Sequence, residues 1–278
     1  MIRPEVPDPL PHPVADSHCH LDIEDGPDGT PLEVGEALTL AESVGVRRIV
    51  HVGCDLPGAR WAVDVAAQYP QVVAAVALHP NEAPVLSDAG GLDDALAEID
   101  RLAGDNPRVR AVGETGLDYY RTEAPGRPAQ HASFRVHIAI AKRHGKTLVI
   151  HDRDAHADVL RILDAEGPPE RVVMHCFSGD REFARQCVER GFWLSFAGTV
   201  TFKNAAYLRD AMTVTPLDRL LVETDAPYLT PMPWRGRRNA SYLVPLTVRT
   251  MADTKGVDLD TLCRAIDHNT SVAFGGGW

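Results

Sequence analysis

Short apolar, β-branched runs recur along this chain, and between them lie longer stretches whose apolar residues return with helical period. The runs are Val14–His18, Arg48–Val52, Val72–Leu78, Val109–Gly113, Thr147–His151, Arg171–His175, Phe192–Phe196 and Leu220–Glu223. Such alternation is the signature of β-α units around a parallel sheet. Residues 31–46, 57–69 and 131–145 illustrate the amphipathic helices, the last closed by Gly145 where a helix end favours glycine.

Eight strands, each with room for one following helix, predict an α/β fold of the TIM-type (β/α)8 barrel class. A doubly wound open sheet would alternate in the same way, but it calls for a glycine-rich GxGxxG turn after its first strand. This chain has "DSHCHLD" there instead. We expect a proline-rich, irregular lead-in over 1–13 and one barrel domain over 14–278.

Composition narrows the setting. The chain has 278 residues, 44% of them hydrophobic, and no apolar run approaches the ~18 to 20 residues of a membrane span. "MIRPEVPDPLPHPV" lacks the apolar core of a secretory signal, and five cysteines without CxxC spacing suit reduced thiols. The expectation is a soluble, cytoplasmic chain. A net charge of -11 argues against a general nucleic-acid-binding surface, which rests on lysine and arginine displacing counterions. A polyanion has to be met locally, by "RGRR" at 235–238 or by metal ions in a cleft.

Barrel active sites form at the C-terminal ends of the strands, so polar clusters there converge although distant in sequence. In "DSHCHLD" (16–22), His18 and His20 face one side of an extended segment, roughly 6 to 7 Å apart at the base. "GETGLDYYR" brings Glu114, "VIHDRDA" His151, "VMHCFSG" His175 and "VETDAPYLTP" Asp225. Four imidazoles and two carboxylates suit one or two divalent ions. Each has a plainer reading alone: a hydrogen-bonded histidine, a helix-capping glutamate, a turn at Asp225. Their joint placement at five strand ends is what argues for metal. Cys19, between the histidines, faces the other way and reads as packing. His12, His131, His137, His144, His156 and His268 belong to no such motif and read as surface or core residues.

Substrate contacts are sought on the same rim. Arg153 shares the side of His151 and suits phosphate, against a salt bridge to Asp152 or Asp154. His79, in "ALHPN", follows the third strand. Tyr119, Tyr120 and Arg121 lie beyond Glu114, where an aromatic stacked on a base is worth about 1 to 3 kcal/mol. "PMPWRGRRNAS" offers Trp234, Arg235, Arg237, Arg238 and Asn239 on the loop after the eighth strand.

These motifs, in this order, closely resemble those of the TatD family of metal-dependent deoxyribonucleases, within the amidohydrolase-like metal hydrolases. The resemblance runs from Val14 to the "HNTSVAFG" ending. It implies a TIM-type barrel, a cytoplasmic location and hydrolysis of phosphodiester bonds, typically as a 3′-to-5′ exonuclease on DNA. It makes His18, His20, Glu114 and Asp225 ligands of a first ion, and Glu114, His151 and His175 ligands of a second, with Glu114 bridging. Magnesium or manganese would support activity, while four histidines also suit bound zinc. Asp225 would take the proton of the attacking water.

The expected partner is DNA, single-stranded or with free 3′ ends, with RNA a further substrate, and the expected state is a monomer. Two other readings are an amidohydrolase-like hydrolase of a small ester, amide or phosphoester, and an aminoacyl-tRNA deacylase. Relatives of the former kind commonly bridge their ions with a carbamylated lysine where this chain has Glu114. A non-catalytic barrel would normally have lost a ligand, and none is missing. Two departures from the family pattern, "RNAS" at 238–241 in place of "RNEP" and His137 in place of a glutamine, leave the ligands untouched.

Overall fold

In the computed structural model, which describes residues 3–24 and 29–278, the strands form one eight-stranded sheet whose order follows the chain. They are β1 (Val14–Cys19), β2 (Val46–Gly53), β3 (Val72–Val76), β4 (Val109–Asp118), β5 (Thr147–Arg153), β6 (Val172–Met174), β7 (Trp193–Phe196) and β8 (Leu220–Val222). Parallel pairing joins β1 to β2, β3 to β4 to β5 to β6, and β7 to β8. This is the (β/α)8 barrel class that the alternation predicts, not the doubly wound sheet.

The chain packs as two compact units, one of residues 1–51, 179–272 and 278, the other of 52–178 and 273–277. The first contains β1, most of β2, β7, β8 and the helices α1 (Val34–Ser43), α7 (Arg181–Glu189), α8 (Ala206–Val214), α9 (Val244–Lys255) and most of α10 (Leu259–Ala273). The second contains β3 to β6 with α2 (Leu56–Gln68), α3 (Glu82–Asp88), α4 (Leu92–Asp105), α5 (Arg127–Arg143) and α6 (His156–Glu166).

Local chemistry explains the boundaries. β3 reads Val-Val-Ala-Ala-Val and is buried throughout, as a strand covered on both faces should be. α2 starts where the Asp55 carboxylate accepts from Gly58 N at 2.7 Å with a proline in its first turn. α4 buries Ala95, Leu96, Ile99, Leu102 and Ala103, the three-and-four spacing of one helical face. α5 begins four residues before the expected helix and ends at Arg143, with Gly145 just beyond it at φ +59°.

Two features differ from the sequence reading. The β3–β4 connection carries two helices, α3 and α4, not one. β4 runs on to Asp118, so Glu114 lies inside the strand. Its pairing with β5 shifts register between Val112 and Thr115, and a bulge there re-aims the side chain between them. The β1–β2 register likewise shifts between Asp16 and Cys19, the interval that holds His18.

Residues 3–13 carry no helix or strand, but they are anchored. Tyr242 Oη donates to Pro4 O at 2.8 Å, Arg249 to Asp8 O at 2.9 Å, and Leu10 N to Val44 O at 3.0 Å. Among the described residues, no helix is long and apolar enough to cross a membrane.

Candidate metal centre

The first donor set is assembled where β1 and the chain after β8 run side by side. Asp225 N donates to His18 O at 2.9 Å and His20 N to Ala226 O at 2.8 Å, on either side of a parallel bridge between Cys19 and Ala226. This zipper sets His18 Nε2 at 3.3 Å from His20 Nε2, with Asp225 Oδ1 at 3.8 and 3.5 Å from the two. Nitrogen and oxygen donors held at 2.0 to 2.2 Å in a tetrahedron stand about 3.3 to 3.6 Å apart. Two of the three separations fall in that range and the third, 3.8 Å between His18 and Asp225, lies just outside it, so a small adjustment lets these side chains share one ion. Asp225 has φ +54°, a conformation a non-glycine residue seldom adopts unless its surroundings impose it.

Asp16 holds Thr224, the residue before Asp225. The Asp16 carboxylate accepts from Thr224 N at 2.9 Å, Thr224 Oγ1 at 2.6 Å, Ser241 Oγ at 2.7 Å and His18 N at 3.3 Å. Burial pushes its pKa up to about 6, against the pull of those hydrogen bonds. Cys19 is buried, as its packing role requires. His51, at the end of β2, accepts from Leu21 N at 3.1 Å on Nδ1, with Nε2 3.9 Å from Asp22 Oδ1. Burial, and then the imidazoles of His20 and His18, hold its pKa well below the usual value. His51 thus anchors, uncharged, the chain that leaves His20. The sequence reading overlooked both Asp16 and His51. Asp16 shares the two-residue alternation of His18 and His20, and "IVHVG" sits on a strand end, so both signals were present.

The second set lies in the unit of residues 52–178 and 273–277. Glu114 Oε2 stands 2.9 Å from His175 Nε2 and 3.1 Å from His151 Nδ1, and Cys54 Sγ donates to Glu114 Oε1 at 3.2 Å. The other nitrogen of His151 faces Asp118 Oδ2 at 3.4 Å. His151 is therefore held between two carboxylates, the arrangement by which an outer acid fixes the tautomer of a metal-ligating imidazole. Asp118 accepts in turn from Arg121 N at 2.8 Å and Asn81 Nδ2 at 3.3 Å. Burial works against its charge, but hydrogen bonds from His151 and Arg121 prevail and hold its pKa below the usual carboxylate range. For His151 burial also opposes the charge, and Asp118 and Glu114 raise its pKa nonetheless.

Gly116 allows β4 and β5 to close at this point. It has φ +139°, and a Cβ there would sit 2.1 Å from His151 O. His79 completes the group, its ring edge-on to His151 with centroids 4.5 Å apart. It accepts from Asn81 N at 3.1 Å, and burial chiefly pushes its pKa down to about 3. A neutral His79 thus carries its proton on Nε2. Donor atoms of His79, Asp118 and His151 lie within 4.8 Å of one another.

The expected substrate residues divide. The Arg153 guanidinium lies 3.8 Å over the Tyr120 ring, and Tyr120 is 66% exposed, while Asp152 pairs with His156 at 2.8 Å. Arg235 is exposed and stacked 4.4 Å over Phe202. Two of the expected residues are engaged within the chain. Tyr119 Oη donates to Asp158 Oδ2 and meets His131 Nε2, at 2.5 Å each, and Arg127 covers one side of its ring at 4.0 Å. Tyr120 is the exposed aromatic of the pair. Asn239 is buried, donating to Thr224 O at 2.9 Å and Tyr228 O at 2.7 Å while its carbonyl accepts from Ala240 N. It clamps the loop. Arg238 does similar work, donating to Glu24 O at 2.9 Å and to Ile23 O.

Comparison with known proteins supports the same chemistry. Residues 15–275 match the model of the TatD-related DNase family. The chain is 44% identical over 269 residues to the uncharacterized metal-dependent hydrolase TatD of Mycobacterium tuberculosis, covering 95% of this chain and 99% of that protein. It is 40% identical over 262 residues to the metal-dependent hydrolase YcfH of Escherichia coli K12, covering 94% and 95%. The crystal structure of YJJV, a TatD homologue from E. coli, superposes with a TM-score of 0.85 at 26% identity, covering 95% of this chain and 98% of that one.

Proposed function

We propose, because this chain belongs to the TatD-related DNase family and so is a metal-dependent hydrolase acting on ester bonds, that it removes nucleotides from DNA as a 3′-to-5′ exonuclease with two divalent ions. The observation that carries this reading is the set His18–His20–Asp225, whose donor atoms lie within 4.8 Å of one another, together with Glu114 Oε2 placed against both His151 and His175. The donors are imidazole nitrogens and carboxylate oxygens, suited to manganese or zinc as well as to magnesium. The family resemblance would make Glu114 a metal ligand as well.

The residues of these sets would hold divalent ions, which would supply Lewis acidity toward phosphoryl charge and lower the pKa of a bound water. The rest falls to the chain. Asp225 accepts the proton of the attacking water, because it is the carboxylate of the first set and is partly open, with 16% of its side chain exposed. Asp118 keeps His151 in the tautomer whose Nδ1 faces Glu114. Arg153 presents a guanidinium suited to a phosphate oxygen, and neutral His79 donates from Nε2 to the phosphoryl or leaving oxygen.

The charge of -11 favours single strands and free ends over long duplex, since surface repulsion grows with the length of phosphate backbone laid along it. Incubating metal-loaded protein with 5′-labelled single-stranded DNA tests the proposal. It predicts a ladder shortening from the 3′ end. Products shortened from the 5′ end, or cut internally from the outset, would contradict the polarity.

A further inference from the structure

A pocket of about 310 Å³ opens beside the first donor set. Its wall includes His20, whose Nε2 lies 3.5 Å from Asp225 Oδ1, and Ala226 and Pro227, which directly follow Asp225. Leu21, Leu32 and Ala240 add apolar surface, and Tyr242 closes it from below, buried to 1% exposure. The lead-in forms the remaining side, through Arg3 and Pro4. It is a built wall, because Tyr242 Oη is bonded to Pro4 O at 2.8 Å and Arg3 Nη1 to Glu36 Oε1 at 2.6 Å. A second guanidinium, that of Arg238, stands on the same wall, fixed by the carbonyls of Ile23 and Glu24.

We infer that this pocket receives the terminal nucleoside of the substrate, with the N-terminal lead-in serving as one of its specificity-determining walls. The inference rests on the nuclease reading. Three properties point to this occupant. The volume lies at the lower limit for small-molecule sites, about 300 Å³, so it admits one nucleoside and excludes a base pair. Flat apolar walls suit a base and sugar, while two arginines in a chain of net charge -11 suit the adjoining phosphates. Finally, the pocket meets the ligand shell at His20, so a nucleoside seated in it has its 5′-phosphate directed at the metal-binding end. Removal of one nucleotide at a time from a 3′ end leaves just such a nucleoside 5′-monophosphate.

The test is calorimetric binding of deoxyadenosine 5′-monophosphate to the metal-loaded protein, with Ala240→Phe and Ala240→Glu as variants. Ala240 has an extended backbone that accepts either side chain, and thermal unfolding with metal analysis checks that each variant is folded and loaded. Binding to the wild type that weakens at least tenfold in both variants, with metal content unchanged, supports the pocket. Inorganic phosphate should be far less affected. No binding to the wild type, or equal binding to all three proteins, overturns the inference. Nucleotide binding lost in the variants, alongside a wild type that cleaves no DNA, would instead remove the nuclease reading and leave the pocket.

Discussion

Asp16 grips Thr224 twice, through the backbone N–H at 2.9 Å and the hydroxyl at 2.6 Å. The strand that carries His18 and His20 thereby also fixes the segment that presents Asp225. The first residue of "DSHCHLD" is thus part of the metal site's scaffold without being a ligand.

Asp16→Ala should leave Thr224 and Ser241 without their buried acceptor. The expected cost is about 2 to 4 kcal/mol of stability, together with weaker retention of the ion held by His18, His20 and Asp225. Urea unfolding and metal analysis of the same preparation check both effects. Asp16→Asn, which keeps one acceptor oxygen, should fall between the two.

Asp118→Asn removes the carboxylate behind His151 while keeping its shape. Loss of such an outer partner typically weakens metal binding about 10- to 100-fold. The loss should be confined to the second donor set, so a competition titration with a chelating dye should show one weakened site and one of wild-type affinity.

Asp225→Asn separates ligation from proton transfer. If Asp225 is the base, turnover falls by about 10² to 10⁴ under conditions where metal analysis shows both ions still bound. Wild-type turnover in a fully loaded variant would assign the proton to another group.

His137 gives a pH dependence that does not involve metal. Its Nε2 accepts from Leu78 N at 3.2 Å and its Nδ1 donates to Ser133 O at 2.8 Å, so the folded protein needs it neutral. Burial pushes its pKa down to about 4, whereas the unfolded chain has a value of about 6.5. The unfolded state therefore binds the extra proton between those values, and stability falls as pH drops from about 6.5 to 4, by up to about 3 kcal/mol. His137→Gln should flatten that slope in unfolding experiments compared with the wild type.

The strand series was legible because it rests on local pattern, and the candidate ligands stood out because their motifs fall on or beside those runs. Burial on both faces writes apolar runs. Of what the sequence reading missed, Asp16 and His51 carry local signals, whereas the other features depend on contacts across space. Nothing before residue 114 tells that β4 continues to Asp118, since a glycine at 116 reads as a break until His151 O is seen to occupy the place of its Cβ. Tyr119 and Tyr120 are indistinguishable as neighbours in sequence. Only the position of Asp158 on α6 decides that Tyr119 is engaged and Tyr120 exposed. Asn239, beside three arginines, looks like part of a basic loop until its amide is found bonded to Thr224 O and Tyr228 O.

The central claim, that two donor sets load two ions which together enable hydrolysis of DNA, is tested most directly by titrating metal-free protein with manganese while following mononucleotide release from end-labelled single strands. The account predicts no release without metal and a rate that levels off at two equivalents per chain. Release that persists in excess chelator, or that is already maximal at one equivalent, would contradict it.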